Sequence, residues 1–480
     1  MSMKKDITRR DAVKIAGAAT VAAAAAKFDR APGIQTVKAA NNQVQLAIIG
    51  TGGRGQYHLE HLNKLDGAKL VASCDIFEPN LKKGIDISKD KPQGYKDYRE
   101  VLARKDVDAV LIATPLYQHF PITKDALLAG KHVFCEKSLV FKAEEVHALR
   151  AMMKEHPKQT LQVGLQRRYS QYYQTAKAMI EKGTIGDVTN VYAQWHRNLI
   201  AIPSSTWVMK KNDPRGEEAN WRLLRKFSGG LTAELASHQI DVADYMFGAS
   251  PEFVMGVGGI DYFKDGRDVF DNIQMIYRYP KGQRLMYSSI CSNQNLPIFG
   301  GARTQFGEII MGTKGTIHIT VGTDAEPALA MWFMEPPKKE PVPAGGKNAP
   351  AKASASLVST GAGSKGLPIL LSKDQIAQDE AFLSRELKFA RRWLYSKGVM
   401  VPEEDKNPVD VQLEAFFESV RTGKKPLAHL EVGLADSTAV ILSNLAMDEG
   451  RRVYFNEIDK MGRGGAPAPA KGPAAPVKKG

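Results

Sequence analysis

The stretch VQLAIIGTGGRGQYH, residues 44–58, constrains the fold more than any other part of the sequence. A short apolar run leads into Gly50, Gly52 and Gly55, which have the G-x-G-x-x-G spacing, and a helical pattern of apolar residues follows. In this motif the first glycine allows a tight turn, the second lets the backbone approach a pyrophosphate, and the third allows close helix packing. The helix N-terminus then offers free N–H groups to the phosphates. The pattern therefore predicts a dinucleotide-binding strand–helix–strand unit.

A carboxylate follows at the end of the next strand-like run, KLVASCD. Asp75 stands 20 residues after Gly55, where an acidic side chain can hydrogen-bond the ribose 2′-hydroxyl of a dinucleotide. A carboxylate there also repels the 2′-phosphate of NADP, so we expect NAD as the cofactor. Lys82 and Lys83 lie close enough in sequence to keep NADP as the alternative.

Apolar runs and amphipathic helical patterns continue to alternate up to residue 166. This alternation is typical of a parallel sheet with helices on both faces, so residues 40–166 are predicted to form a doubly wound Rossmann domain of an α/β protein. Ligands of such sheets bind at the carboxyl ends of the strands. Besides the three glycines and Asp75, the predicted cofactor contacts are Gly53, Arg54, Thr114, Pro115, His119, Glu136 and Gln166. Lys137, directly after the run HVFCE, falls at the same edge.

The pattern changes after residue 167, where strand-like runs with short connections appear between residues 252 and 333. Hairpin spacing of this kind predicts a large, mainly antiparallel open sheet, so residues 167–400 are expected to form a second, α+β domain. One face of an open sheet is available to a second copy of the chain, and we expect a homo-oligomer through it. Residues 335–366, rich in Pro, Ala, Gly and Lys, predict a flexible insertion.

The two ends of the chain have compositions of their own. Helical patterns within residues 401–460 are expected to return to the Rossmann domain, and residues 461–480 predict a disordered tail. Residues 1–39 have the form of a twin-arginine export signal, in which Arg9 and Arg10 precede an Ala-rich run. Because that run is shorter than the roughly 20 residues of a membrane span, we expect no stable membrane anchor. We therefore expect an exported, periplasmic protein; the alternative is a disordered N-terminal extension.

The formal net charge of +14 is concentrated in three segments. Residues 1–39 carry +5, and residues 335–366 and 464–480 carry +3 each. The remaining chain is close to neutral, and no basic stripe interleaved with aromatic residues occurs in it. The sequence therefore argues against a nucleic-acid-binding protein.

A second set of titratable residues lies in the stretch SGGLTAELASHQIDVADYMFG, residues 228–248. If this stretch is an α-helix, Glu234, His238 and Asp241 stand at i, i+4 and i+7 and share one face. They could form a surface pair or bind a metal, but no further His or Cys cluster completes a metal site, so none is predicted. Beside a nucleotide site and a strand-end lysine, acid–base catalysis is the interpretation that this set favours.

At this point the sequence resembles the Gfo/Idh/MocA oxidoreductase family over residues 44–455. The matching pieces are AIIGTGGRG, DAVLIATPLYQH, ALLAGKHVFCEKSL, GLQRRYS, GTIGDV, GGLTAELASHQID and AFFESVRTGKKPL. The resemblance implies that Lys137, in the family's Glu-Lys-Pro signature, is catalytic and that His238 accepts a proton from a sugar hydroxyl. Ser138 stands where the family has proline, and Glu234 stands where it has aspartate.

Hydride transfer from a carbinol needs a base for the hydroxyl proton and a donor for the alkoxide-like oxygen. His238 fits the first role, Lys137 the second, and Glu234 is expected to orient the imidazole. The expected substrate is a sugar, glycoside or cyclitol. Its predicted contacts are Arg168, Tyr169, Asn220, Trp221, Arg222 and Asp241, and the stretch WHRN (residues 195–198) offers further polar and ring contacts.

Export adds a condition, because no sustained pool of diffusible NAD exists outside the cytoplasm. The cofactor is therefore expected to be bound before export and retained. An alternative is a redox-neutral, NAD-dependent glycoside hydrolase, whose Gly-Gly-Arg-Gly turn resembles residues 52–55, although its Gly-Asn-Leu-Tyr-Pro-Thr-His motif is absent. A further alternative is a sugar-binding protein that has lost turnover.

Overall fold

The computed structural model describes residues 43–199, 206–293, 306–320, 329–335, 367–371, 382–401 and 406–461. The export signal, almost all of the expected insertion and all but the first residue of the expected tail lie outside these residues. The chain divides into two compact units. Among the described residues, the first unit contains 43–136, 148–164 and 413–430, and the second contains the others.

The first unit is built on a six-stranded sheet. Its strands are β1 (Val44–Ile49), β2 (Ala68–Cys74), β3 (Gln93–Tyr95), β4 (Ala109–Ile112), β5 (His132–Cys135) and β6 (Leu161–Val163). Their order is β3-β2-β1-β4-β5-β6, and every neighbouring pair is parallel. β4 and β5 are buried along their whole length, as expected of strands covered on both faces. The predicted doubly wound sheet is confirmed.

Helices connect and cover these strands. Those wholly within the first unit are Gly53–Leu62, Glu78–Ile87, Tyr98–Ala103 and His119–Leu128. Ala143–Glu155 and Pro408–Thr422 contribute to it in part. The last of these packs through Phe416, whose ring centroid lies 5.7 Å from that of Phe134 in β5.

The second unit contains a nine-stranded sheet. Its strands are β7 (Val188–His196), β8 (Phe253–Gly259), β9 (Asn272–Arg278), β10 (Arg284–Ile290), β11 (Phe306–Gly312), β12 (Gly315–Thr320), β13 (Leu329–Met334), β14 (Leu367–Leu371) and β15 (Val453–Tyr454). The order is β14-β13-β12-β11-β7-β10-β9-β8-β15. Among the described strands of this sheet, only β7 and β10 pair in parallel. The predicted large, mainly antiparallel sheet is confirmed.

One face of this sheet is the core of the second unit. In β9 the side chains of Ile273, Met275 and Tyr277 are buried, whereas those of Gln274 and Ile276 between them are exposed. The buried face packs with α-helices, which in this unit are Gln171–Glu181, Ser237–Phe247, Phe382–Ser396 and most of Leu430–Glu449. The strand period of two therefore separates a core face from an outward face along the sheet.

The C-terminal helices divide between the units instead of both returning to the Rossmann domain. Residues 413–430 belong to the first unit, but the chain from residue 431 belongs to the second. The reason is that Ala439, Leu442 and Ala446 of the Leu430–Glu449 helix are fully buried in the core of the second unit. This helix is also long and apolar enough to cross a membrane, but most of its surface is buried in the protein, as in a core helix.

Candidate active site

The glycine-rich turn after β1 has three glycines with different surroundings. Gly50 has φ +91°, and a Cβ there would lie 2.7 Å from the carbonyl carbon of Ala113. A Cβ on Gly55 would lie 2.0 Å from the carbonyl oxygen of Gly50. In contrast, a Cβ on Gly52 would come no closer than 3.7 Å to another atom, and Gly53 has nothing within 4 Å. Gly50 and Gly55 therefore shape the turn, whereas Gly52 and Gly53 leave open space in front of it.

The carboxylate of Asp75 is tied to this turn. Its Oδ2 accepts a hydrogen bond of 2.8 Å from the backbone N–H of Thr51, and its Oδ1 accepts one of 2.8 Å from the N–H of Phe77. Oδ2 also accepts a longer hydrogen bond, 3.4 Å, from the Thr51 hydroxyl, whereas Oδ1 has a second lone pair for a further donor. The end of β2 and the turn after β1 are thus held in register around a fixed negative charge.

Glu136 is buried and forms ion pairs within the first unit. Its Oε1 accepts hydrogen bonds of 2.7 Å from Arg54 Nε and from His58 Nε2. Burial opposes ionisation, yet the charge of Arg54 and the hydrogen bond from His58 hold the pKa of Glu136 below its usual range. The carboxylate therefore anchors the helix that begins in the glycine-rich turn. His58 was not predicted from the sequence, because nothing in its helical position indicates a carboxylate that is 78 residues away.

The other predicted cofactor contacts lie in two places. Thr114 and Pro115 follow β4, and the carbonyl oxygen of Thr114 is 3.0 Å from His119 Nε2. His119 is buried, so this hydrogen bond stabilises the loop that follows β4. Gln166 lies in the second unit, at the start of the 3-10 helix Gln166–Tyr169.

Lys137, by contrast, belongs to the second unit and is held by backbone carbonyls. Its Nζ donates hydrogen bonds of 2.9 Å to the carbonyl oxygen of Ala233 and 2.7 Å to that of Glu234. Both acceptors lie in a π-helical segment, Thr232–Ala236, that continues into the α-helix Ser237–Phe247. π-Helical turns are frequent at functional sites. The expected continuous α-helix is therefore wrong over its first turn.

Two carboxylates of this helical segment, Glu234 and Asp241, are each paired with an arginine. Glu234 Oε2 accepts a 2.9 Å hydrogen bond from Arg222 Nε, and Asp241 Oδ1 accepts one of 2.8 Å from Arg168 Nε. The guanidinium carbon of Arg222 also lies 4.4 Å from the centroid of the Trp221 ring. Glu234, predicted to be catalytic, thus lies with Arg222 and Trp221, which are predicted substrate contacts.

Two other predicted substrate contacts are buried. The side chain of Asn220 accepts a 2.7 Å hydrogen bond from the backbone N–H of Lys210 and donates one of 3.0 Å to its carbonyl oxygen. These contacts of Asn220 stabilise its own loop. The second residue, Tyr169, is only 2% exposed.

His238 lies against an aromatic ring. The centroids of the His238 and Trp195 rings are 5.5 Å apart, with an angle of 33° between the planes. Trp195 is part of β7, so the imidazole packs against the end of a rigid strand. A ring in this position limits the rotation of the imidazole.

Asp241, Asp244 and Asp436, three of the buried carboxyl groups of the same unit, interact electrostatically. Burial and the charge of Asp241 raise the pKa of Asp436 well above its usual range, and the charge of Lys137 acts in the opposite direction. Burial likewise raises the pKa of Asp244 to about 8, although a 2.7 Å hydrogen bond from the Tyr279 hydroxyl favours its charged form. Lys137 thus interacts with at least one carboxyl group, that of Asp436, whose burial favours the protonated form.

No three His, Cys, Asp or Glu side chains in the described part of the chain come together as a metal site. What this part offers is a glycine-rich turn with a fixed carboxylate in one unit. The other unit holds an imidazole on a helix and a lysine ammonium that is bonded to the backbone of the same helical segment.

Two family models match the chain. The model of the Gfo/Idh/MocA oxidoreductase family, with its NAD-binding Rossmann fold, matches residues 44–165, and that of the Gfo/Idh/MocA C-terminal domain matches residues 173–318. Together they cover more than half of the chain. The chain belongs to the Gfo/Idh/MocA family of oxidoreductases, and its first unit contains the NAD-binding Rossmann domain of that family.

Curated relatives match in part. An uncharacterized oxidoreductase, YrbE, of Bacillus subtilis is 32% identical over 216 residues, which are 45% of this chain and 57% of that protein. An inositol 2-dehydrogenase of Salmonella typhimurium is 32% identical over 161 residues, 33% of this chain and 48% of that protein. The glycosyl hydrolase family 109 protein 2 of a Shewanella species is 37% identical over 151 residues, 28% of this chain and 33% of that protein. The chain spans about half the length of the first two.

Solved structures share the fold over most of the chain. The aldose-aldose oxidoreductase of Caulobacter crescentus superposes with a TM-score of 0.61 at 21% identity, covering 86% of this chain and 99% of that one. A levoglucosan dehydrogenase in complex with NADH and levoglucosan gives a TM-score of 0.63 at 18% identity, with the same coverage. At these identities the similarity concerns the fold.

Proposed function

We propose that this protein transfers a hydride between NAD and a hydroxyl-bearing carbon of a sugar, glycoside or cyclitol. The observation that carries the proposal is the bond from Lys137 Nζ to the carbonyl oxygen of Glu234, 2.7 Å long. His238 follows Glu234 by four residues on the same helical segment. A proton donor for an oxygen thus bonds to the helical turn that precedes the base for its proton, and carbinol oxidation needs such a pair.

The glycine-rich turn fits the pyrophosphate of a dinucleotide. Gly52 and Gly53 leave open space beside the backbone, and the helix Gly53–Leu62 begins there with free N–H groups. Asp75 would accept hydrogen bonds from the adenosine ribose. When bound, NAD supplies the acceptor or donor of the hydride.

The roles of the protein groups follow from their contacts. His238, held against Trp195, accepts the proton of the substrate hydroxyl. Lys137 donates a hydrogen bond to the same oxygen as negative charge develops on it. Arg222 forms an ion pair with Glu234 and lies against the Trp221 ring. Its guanidinium and that ring contact the sugar. Relatives named inositol 2-dehydrogenase support a cyclitol or sugar as the substrate class.

A panel of sugars and cyclitols tests the proposal. The purified protein should convert NAD to NADH, followed by absorbance at the nicotinamide band, with at least one member of the panel. Protein purified without added nucleotide should also release NAD(H) on denaturation if the cofactor is retained. Absence of hydride transfer with the whole panel, in protein shown to hold NAD, would contradict the proposal.

A redox-neutral glycoside hydrolase is the second candidate. It is supported by the relative named glycosyl hydrolase family 109 protein 2, which is 37% identical over the matched part, and by the Gly-Gly-Arg-Gly turn at residues 52–55. Such an enzyme would oxidise the sugar, eliminate the aglycone, add water and reduce again. Release of aglycone without accumulated NADH, with solvent deuterium at C2 of the product, would favour it over the oxidoreductase.

Export by the twin-arginine route is part of the proposal. Arg9 and Arg10 before an Ala-rich run support it, and folded export would allow the cofactor to leave the cytoplasm with the protein. Fractionation of cells that express the native chain and an Arg9→Lys, Arg10→Lys variant tests it. Only the native chain should reach the periplasm.

A homo-oligomer through the outward face of the nine-stranded sheet is also proposed. Tyr192, Met255 and Ile276 on that face are 40%, 40% and 42% exposed, and exposed apolar side chains of this kind are typical of protein interfaces. An Ile276→Lys variant should have a smaller mass by light scattering than the native protein. An unchanged mass would place the interface elsewhere or show a monomer.

A further inference from the structure

Arg197 continues a row of core-facing side chains. Val191 and Ala193 are buried in β7, and Trp195 follows on the same face. The backbone N–H of Arg197 donates a 3.0 Å hydrogen bond to the carbonyl oxygen of Ile290, so the residue still lies in register with the sheet. The strand period therefore directs a guanidinium to the edge of the apolar core.

The neighbouring arginines each have a carboxylate partner, whereas Arg197 has none among the described residues. Arg167 pairs with Glu308, and the two arginines already described pair with Asp241 and Glu234. No carboxylate of the described residues forms an ion pair with Arg197. The contact of its guanidinium is with the Trp195 ring, whose centroid is 5.0 Å away.

Trp195 has an open hydrogen-bonding group at the same place. Its indole N–H is buried and has no acceptor in the described part of the chain. Buried polar groups are almost always hydrogen-bonded, so such a donor requires an explanation. Within the described part of the chain, both donors are therefore available to an acceptor on a ligand.

The position of Arg197 connects it with the proposed catalytic groups. Burial lowers the pKa of its guanidinium, while the charge of Glu234 raises it and that of Arg222 lowers it. The Trp195 ring that Arg197 contacts also packs against His238. A group bound to Arg197 would therefore lie beside the substrate of His238.

We propose that Arg197 binds a carboxylate of the substrate, so that the preferred sugar is an acidic one, such as a uronate. This rests on the proposed function and specifies its substrate class. A guanidinium forms two parallel hydrogen bonds with a carboxylate. One unpaired arginine balances the single charge of a carboxylate, whereas a phosphomonoester carries a charge of about −1.5 to −2 at neutral pH.

Binding measured by calorimetry on the full-length protein holding NAD tests this inference without relying on turnover. Glucuronate and galacturonate are compared with glucose, galactose and glucose 6-phosphate. We expect at least one uronate to bind roughly 10- to 100-fold more tightly than its parent hexose, the range of a charge-assisted hydrogen bond. An equal affinity of both uronates and both hexoses would overturn the inference, and a preference for glucose 6-phosphate would overturn the assignment to a carboxylate.

Variants show whether Arg197 causes the preference. Arg197→Gln should abolish it without weakening hexose binding, and Arg197→Lys should retain part of it. The control Arg452→Gln changes an exposed arginine of the same unit and should keep it. A preference that survives in a folded Arg197→Gln protein would overturn the inference. If that variant does not fold, the native protein is measured at high salt instead. Loss of its preference for the uronate would support an ionic contact, and an unchanged preference would contradict an ionic contact.

The binding measurements and the NADH assay together distinguish the acidic-substrate proposal from the oxidoreductase proposal. If hexoses are oxidised but uronates bind no better, the acidic substrate is wrong and the oxidoreductase stands. If uronates bind through Arg197 but no sugar reduces NAD, the anion site stands and the oxidoreductase is wrong.

Discussion

The ammonium of Lys137 donates a 2.7 Å hydrogen bond to the carbonyl oxygen of Glu234, four residues before His238. The lysine is therefore positioned by the backbone of the helix that carries the imidazole. This leaves the Glu234 carboxylate to pair with Arg222. The carboxylate that is expected to orient the histidine thus forms an ion pair with an arginine.

Replacement of Lys137 by alanine should remove turnover and leave the cofactor bound. We expect kcat to fall roughly 100- to 10,000-fold, the usual contribution of a positioned proton donor. Nucleotide should stay bound, because the glycine-rich turn belongs to the other unit. The measurement is NADH formation together with NAD(H) released on denaturation.

Lys142→Ala is the matched control for this variant, since Lys142 is an exposed lysine of the same segment. It should leave both quantities unchanged. Loss of nucleotide from the Lys137→Ala protein would show that the lysine serves the cofactor instead of the substrate.

Substitutions at two glycines of the nucleotide turn should affect different properties of the protein: NAD binding for Gly52 and stability for Gly55. Gly52→Val should prevent NAD binding but leave the stability of the cofactor-free protein unchanged, because its side chain would extend into open space. Gly55→Ala should destabilise the protein by about 1–3 kcal/mol or more, because its Cβ would lie 2.0 Å from the carbonyl oxygen of Gly50.

Thermal unfolding of the cofactor-free proteins measures stability, and calorimetric titration with NAD measures binding. Cofactor-free protein is needed because bound NAD itself stabilises the fold. If Gly52→Val unfolded and Gly55→Ala did not, the assignment of space and packing to these glycines would be reversed.

The general fold was predictable because it depends on local patterns. Uniformly apolar runs separated by helices gave the parallel sheet, and alternation in runs such as Asn272–Arg278 gave the antiparallel one. The parallel pairing of β7 with β10 was not predictable, since it joins residues about 90 positions apart. Strand pairing over such distances depends on packing that a local pattern does not contain.

The site was predictable only in part, for the same physical reason. The spacing of Glu234, His238 and Asp241 indicates a helix but does not distinguish an α-turn from the π-turn that is present. Glu136 was assigned to the cofactor, yet it is buried against His58 and Arg54. A residue that follows a strand in the sequence can be placed at an edge of the sheet. Whether its side chain is buried there depends on side chains that are distant in the sequence.

Removing the charge of Asp75 should weaken the discrimination against NADP. Asp75→Asn keeps an oxygen that can accept one of the hydrogen bonds from the N–H groups of Thr51 and Phe77. Without the negative charge, the repulsion of a 2′-phosphate disappears. We expect the ratio of the dissociation constants of NADP and NAD to fall roughly 10-fold. An unchanged ratio would mean that another group selects the cofactor.

The buried carboxyl group of Asp244 should make stability depend on pH. Burial raises its pKa in the folded protein to about 8, above the roughly 3.9 of an unfolded aspartate. Its favourable contribution is therefore complete below about pH 4 and is lost as the pH rises to about 8, because the unfolded state releases the proton first. Asp244→Asn cannot ionise and should gain stability relative to the native protein over this range. We expect its melting temperature, relative to native, to be roughly 2–4 °C higher at pH 8.5 than at pH 5. A difference that did not change between the two pH values would show that Asp244 ionises in the folded protein as it does in the unfolded chain.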